Sequence, residues 1–104
     1  MSNNAAAVFA ALGDRTRLAL LAQLSDGEAR SIAALSADTR LTRQAVTKHL
    51  HVLERAGLVS NIRAGRESRF AYRPGPVADA KAYLDAVSEQ WDAALARLQA
   101  FVER

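Results

Sequence analysis

The chain has no cysteine, and its 104 residues include only two prolines and five glycines. Without thiols there can be no disulfide staple and no thiolate metal site, and a reducing, cytoplasmic setting is the expectation. Few prolines and glycines, with half the residues hydrophobic, argue against a long disordered stretch. Aromatic residues make up only 6%. No apolar run approaches the roughly 18 residues of a membrane span, and Met1-Ser2-Asn3-Asn4 lacks the cationic start and apolar core of a signal peptide. A soluble, unanchored protein is therefore expected, with no membrane partner. There is no glycine-rich phosphate loop and no Ser/His/Asp set in a recognisable context, so an enzyme is not expected.

What is present is positive charge, unevenly placed. The formal net charge is +3 and the sequence pI about 10.0. Residues 1–39 carry three basic side chains against four acidic, a net of −1, and residues 74–104 carry three against five, a net of −2. Between them, residues 40–73 carry Arg40, Arg43, Lys48, Arg55, Arg63, Arg66, Arg69 and Arg73 against Glu54 and Glu67, a net of +6. One cationic third between mildly acidic flanks points to a polyanionic partner.

Helix signals dominate. A first helix is expected over about 4–12, with Asn3 or Asn4 as cap and Val8, Phe9 and Leu12 apolar. Asp14 caps a second over about 15–24, and Asp26-Gly27 marks a turn. Ser31 caps a short third helix. After a tight connection through Asp38, Thr39 and Arg40, Thr42 caps a fourth running to about Ala56, with Val46, Leu50 and Leu53 inward and Gly57 as its left-handed end. Residues 58–64 then alternate as a strand, with Leu58 and Ile62 expected on one face. Gly65-Arg66-Glu67 turns the chain, and residues 69–73 alternate again with Phe70 and Tyr72 on one side. Pro74 to Pro76 introduce a last helix over about 77–102, striped by Leu84, Val87, Trp91, Leu95, Leu98 and Val102. At 1.5 Å per residue it spans about 39 Å, too long for so small a domain to cover, so a second copy of the chain is the expected partner. The predicted dimer surface is Val8, Phe9, Leu12, Leu84, Val87, Trp91, Leu95, Leu98 and Val102. Trp91, with Leu95 and Tyr83, could instead line a pocket for a small-molecule effector, but interface packing is the preferred role.

The fold class is thus mainly α, a winged helix-turn-helix with a two-stranded hairpin wing, and residues 1–104 are read as one DNA-binding domain whose terminal helices form the dimer interface. A major groove about 12 Å wide admits one α-helix, which enters with its N-terminal residues foremost. With Val46 inward, a turn of 100° per residue aims Gln44, Lys48 and His51 outward, flanked by Arg43 and Thr47. The candidate DNA-binding residues are Thr42, Arg43, Gln44, Ala45, Thr47, Lys48 and His51 on the helix and Arg63, Arg66 and Arg69 on the hairpin. Arg and Gln suit bidentate contacts to guanine and adenine, while Lys48, Thr42 and the hairpin arginines suit phosphates. His49 is expected inward, packed or bonded to backbone. The two histidines diverge on the helix and do not make a metal pair. The reading requires Arg43, Gln44 and Lys48 to be exposed on the side that carries Arg66 and Arg69. A protein-docking module on the same scaffold is the competing expectation, disfavoured because interface cores are depleted in charge.

Three segments carry a family resemblance: Leu-Thr-Arg-Gln-Ala-Val-Thr-Lys-His-Leu-His-Val-Leu-Glu-Arg-Ala-Gly-Leu-Val at 41–59, Phe-Ala-Ala-Leu-Gly-Asp-Arg-Thr-Arg-Leu at 9–18, and Gly-Arg-Glu-Ser-Arg-Phe-Ala-Tyr at 65–72. In this order they resemble the ArsR/SmtB family of bacterial regulators. The resemblance implies a homodimeric winged-helix repressor on a duplex operator with two half-sites, often released by a ligand. The family's metal-sensing cysteines would fall near Ser31 and Ala33, and its zinc-binding histidines on the last helix; none is present, so no metal or other cofactor is expected. Arg15 and Arg40 stand where proline and glycine are common in the family.

Overall fold

The computed structural model describes residues 3–104, and side chains from Ala5 onward. The candidate caps Asn3 and Asn4 lie outside the described side chains. Helix α1 spans Asn3–Leu12 and α2 Arg15–Leu24. Asp14 starts α2 by accepting the Arg17 amide at 3.0 Å, which satisfies one of the free N–H groups of the first turn. This bond, foremost, draws the Asp14 carboxyl below its usual range.

The loop after α2 is closed by a clasp. Arg30 donates to both oxygens of Asp26 at 2.8 and 2.6 Å and to the Gln23 carbonyl at 2.7 Å. Facing that guanidinium, the Asp26 carboxyl is held well below the ordinary carboxylate range. The clasp lays Arg30–Ser31 down as a short strand, β1, which sequence reading did not foresee. Two residues are too few for any alternation to show. Ser31 also caps α3, Ile32–Ala37, through its hydroxyl oxygen and the Ala34 amide.

Helix α4 spans Arg43–Arg55 and buries Val46, Leu50 and Leu53, the steps of four and three read from the sequence. It ends in a Schellman motif: the Gly57 amide reaches the Glu54 carbonyl and the Leu58 amide the Leu53 carbonyl, each at 2.9 Å. Gly57 has φ +77°, and a Cβ there would stand 3.3 Å from Pro76 Cγ. Two independent constraints therefore hold this glycine.

Strands β2, Val59–Ala64, and β3, Glu67–Tyr72, form the hairpin, and the antiparallel sheet has the order β1-β3-β2. Its core face carries Val59, Phe70 and Tyr72. Here one expectation is corrected. Leu58 and Ile62 do not share a face: Leu58 is buried in the turn before β2, while Ile62 sits opposite Arg69, 46% exposed. The strand begins one residue later than predicted, which inverts the alternation.

One hydrophobic cluster joins Val8 and Ala11 to Leu20, Leu24, Leu35, Val46, Leu50, Leu53, Leu58, Val59, Phe70 and Ala80. Helix α5, Gly75–Val102, begins two residues earlier than predicted, with Pro76 in its first turn. Among the described residues its start packs on this body, through Ala80 and Val77 and through Tyr83, whose ring lies 6.2 Å from that of Phe9. The rest projects, giving principal extents of 69 × 25 × 22 Å and a radius of gyration of 18.3 Å, against about 13 Å for a compact chain of this size.

Along the projecting part Leu84, Trp91, Leu95, Leu98 and Val102 are exposed, Val87 is half-buried, and Phe101, missed in the sequence stripe, is 69% exposed. Val8 corrects the predicted dimer surface. At 1% exposure it belongs to the core of its own chain and has nothing to offer a partner. Phe9 and Leu12 are partly buried against that core and keep an outer edge. No helix of the described residues is long and apolar enough to cross a membrane.

Candidate nucleic-acid interface

Helix α4 is aimed by its buried side and leaves its other side to solvent. Arg43, Gln44, Lys48 and His51 are exposed, while Ala45 and Thr47 are half-buried at the margin. Thr42 caps the helix, its hydroxyl oxygen accepting the Ala45 amide at 3.1 Å. The Thr47 hydroxyl donates to the Arg43 carbonyl at 2.7 Å, so its proton is already committed to the helix. The N-terminal end of α4 adds a partial positive charge beside Arg43.

The hairpin brings Arg66 to the same side. Ala64 and Glu67 pair across a two-residue loop, Gly65-Arg66, in which Gly65 has φ +64° and Arg66 does not enter the left-handed region. A tight hairpin with positive φ at its first loop position favours glycine there, and the turn thrusts Arg66 outward. Arg43 and Arg66 line one open cleft of about 600 Å³, together with Ser31, Ile32 and Ala33 at the start of α3 and Ala64, Glu67 and Ser68 of the hairpin. Arg63 pairs across the ladder with Ser68 and Arg69 with Ile62, so these two arginines leave opposite faces of the hairpin and straddle it.

Arg69 is not free. Its Nε donates to Glu67 Oε1 at 2.8 Å, both side chains being half exposed. A surface pair of this kind is worth about 0–1 kcal/mol, so a phosphate can displace the carboxylate at small cost. His51 faces Glu54 at 3.3 Å and sets its ring edge toward Phe70. His49 is half-buried as expected, but its partners are side chains rather than backbone: Arg17 Nη1 lies 3.4 Å and Asp14 Oδ2 3.8 Å from its Nδ1. Arg17 carries no periodic signal and was visible in the sequence only as part of the 9–18 motif. Among the described residues no group of three or more His, Asp or Glu is placed to hold a metal ion.

The family model for a helix-turn-helix domain matches residues 12–60, from the end of α1 into β2. A relative in Bacillus subtilis (strain 168), described as the uncharacterized HTH-type transcriptional regulator YuzN, is 43% identical over 72 residues, 64% of this chain and 78% of that protein. An ArsR-like transcriptional regulator from Rhodococcus sp. RHA1 superposes with a TM-score of 0.80 at 34% identity, covering 91% of this chain and 89% of that one. The chain belongs to the ArsR family of helix-turn-helix transcriptional regulators. A further structure, the homodimeric winged helix-turn-helix DNA-binding domain (fragment 1–100) of Mb0332 from Mycobacterium bovis, has a TM-score of 0.67 at 26% identity, over 85% of this chain and 81% of that one. As an ArsR-family regulator with this DNA-binding fold, the protein is not an enzyme. In family terms α3 and α4 are the helix-turn-helix and β2–β3 the wing.

Proposed function

We propose that this ArsR-family regulator is a homodimeric repressor that reads a specific duplex sequence with the start of α4 and grips the flanking backbone with its wing. The observation that carries the reading is the shared cleft: Arg43 opens α4 and Arg66 tips the wing, and both line the same open space. Arg43 and Gln44 take the base edges, with the Ala45 methyl beside them for apolar contact. Thr42, Thr47, Lys48 and His51 lie where a helix in the major groove meets the sugar-phosphate walls. Arg63, Arg66 and, once released from Glu67, Arg69 neutralise phosphates on either side of the wing.

Residues 1–104 act as one DNA-binding unit, and dimerisation is supported by the apolar projection of α5 and by the homodimeric M. bovis neighbour. A dimer lying across two half-sites excludes other proteins from that DNA, which is the simplest physical route to repression. A small-molecule effector would act by shifting the angle between the two reading helices. The cytoplasm, where such DNA lies in a bacterium, is the proposed location.

The test is selection of bound duplexes from a random-sequence pool by the full-length protein. An inverted repeat is expected, with half-site centres one helical turn, about 10–10.5 base pairs, or a multiple of it apart. A pool left unenriched after repeated rounds would overturn the reading.

A further inference from the structure

Helix α4 is held to the body by two kinds of contact, and they constrain different things. Val46, Leu50 and Leu53 are fully buried and hold it down. Apolar burial sets which side of the helix faces in, but it has no direction of its own and leaves the fine roll of that side less sharply defined. Direction comes from a polar tether on the inward side. Arg17 of α2 donates through Nε to the Ala11 carbonyl at 2.6 Å and through Nη2, at 3.3 Å, to the Ala10 carbonyl, which also accepts the Gly13 amide, so it covers carbonyls at the end of α1. Its remaining arm, Nη1, reaches Nδ1 of His49 on α4 at 3.4 Å.

A guanidinium has only donors, so this contact requires Nδ1 to be the acceptor and the ring proton to sit on Nε2. The Asp14 carboxylate waits on the same nitrogen at 3.8 Å, too far for a hydrogen bond in this arrangement. Asp14 and Arg17 are the charged groups that reach the imidazole among the described residues, and Arg55, six residues further along α4, lines the groove that Arg17 enters.

We propose that Arg17 is a positioning residue for DNA recognition, fixing the roll of α4 against the end of α1 through Nδ1 of His49. The inference rests on the DNA-reading assignment made above and deepens it. Base contacts from Arg43 and Gln44 are directional, so a small roll costs specific binding more than phosphate binding. Ala10 and Ala11 adjoin Phe9 and Leu12, and the tether therefore ties the α1 side of the proposed dimer to the reading helix.

The test uses full-length protein and a duplex selected by it. His49→Asn keeps an acceptor where Nδ1 stood but cannot titrate, and His49→Ala removes it. At pH 7.5, His49→Ala is expected to bind the selected duplex about 3- to 10-fold more weakly, the scale of one hydrogen bond. Binding to random duplex and the melting temperature should move little, and His49→Asn should keep most of the specific affinity. Arg17→Lys, which cannot reach both the α1 carbonyls and His49, should lose specific affinity as His49→Ala does and keep its binding to random duplex.

A His49→Asn protein no better than His49→Ala would overturn the proposal, as would a loss of equal size on random duplex. If the parent protein selects no duplex at all, the DNA-reading assignment has failed and takes this inference with it. A parent that binds while the variants match it defeats this inference alone.

Discussion

Leu98→Glu is expected to split the protein into 11.2 kDa chains in light scattering and to weaken binding to a two-half-site duplex by about 100- to 10,000-fold. Leu98 is 58% exposed in the single chain, on the last turns of α5. The core, from Val8 to Ala80, does not include it. A carboxylate there costs the protomer nothing it has packed. In a dimer the same side chain would be enclosed among Leu95, Trp91 and Phe101, and an unpaired charge in that setting is prohibitive. The loss of affinity follows from arithmetic rather than from any lost DNA contact. Joined half-site binders pay for the second docking event only once, and separated ones lose that effective concentration. Far-UV circular dichroism should keep the helical signature of α1 to α4, because each retains its own buried residues. The melting temperature should fall and cease to depend on protein concentration, since association no longer supports folding. A variant that stays dimeric would mean that the α5 stripe has another use.

Arg43→Ala carries the second large effect, about 1–3 kcal/mol on the selected duplex and far less on random sequence, read by competition binding. Arg43 is exposed at the first position of α4, next to the Thr42 cap, and lines the cleft opposite Arg66. Its removal leaves the helix intact, because the cap is made by Thr42 and Ala45 and the buried stripe starts at Val46. What is lost is a planar, two-pronged donor suited to a guanine edge. Base preference should relax at one position in each half-site and persist elsewhere. A uniform loss across all duplexes would instead mark Arg43 as a phosphate ligand and pass the reading role to Gln44.

Much of this was legible before any coordinates. The cap Thr42, the steps Val46, Leu50 and Leu53, and the stop at Gly57 define α4 by themselves, because each is a local rule with a local cause. The outward side of α4 then follows by geometry, and the structure places Arg43, Gln44, Lys48 and His51 there. What escaped was set by partners distant in sequence. Strand β1 exists because β3 pairs with Arg30 and Ser31, and two residues carry no period. Reading the strand from Leu58 puts Ile62 on one face with it, but the burial of Leu58 belongs to the helix end and not to the sheet. Val8 was given to a partner because an apolar helix side does not say which body it meets. Phe101 was passed over because the stripe was continued through Val102, although both are exposed. The Arg17 tether was invisible because its three acceptors lie on two other elements.

The central claim is that the start of α4 and the wing tip grip one duplex together. The most direct measurement is the salt dependence of affinity for the selected duplex, compared between the parent protein and Arg66→Ala. The parent should show a steep linear fall of log K with log salt, about 0.9 per phosphate neutralised, and Arg66→Ala a slope shallower by about one for each copy of Arg66 removed. A parent affinity indifferent to salt, or a slope unchanged without Arg66, would contradict it.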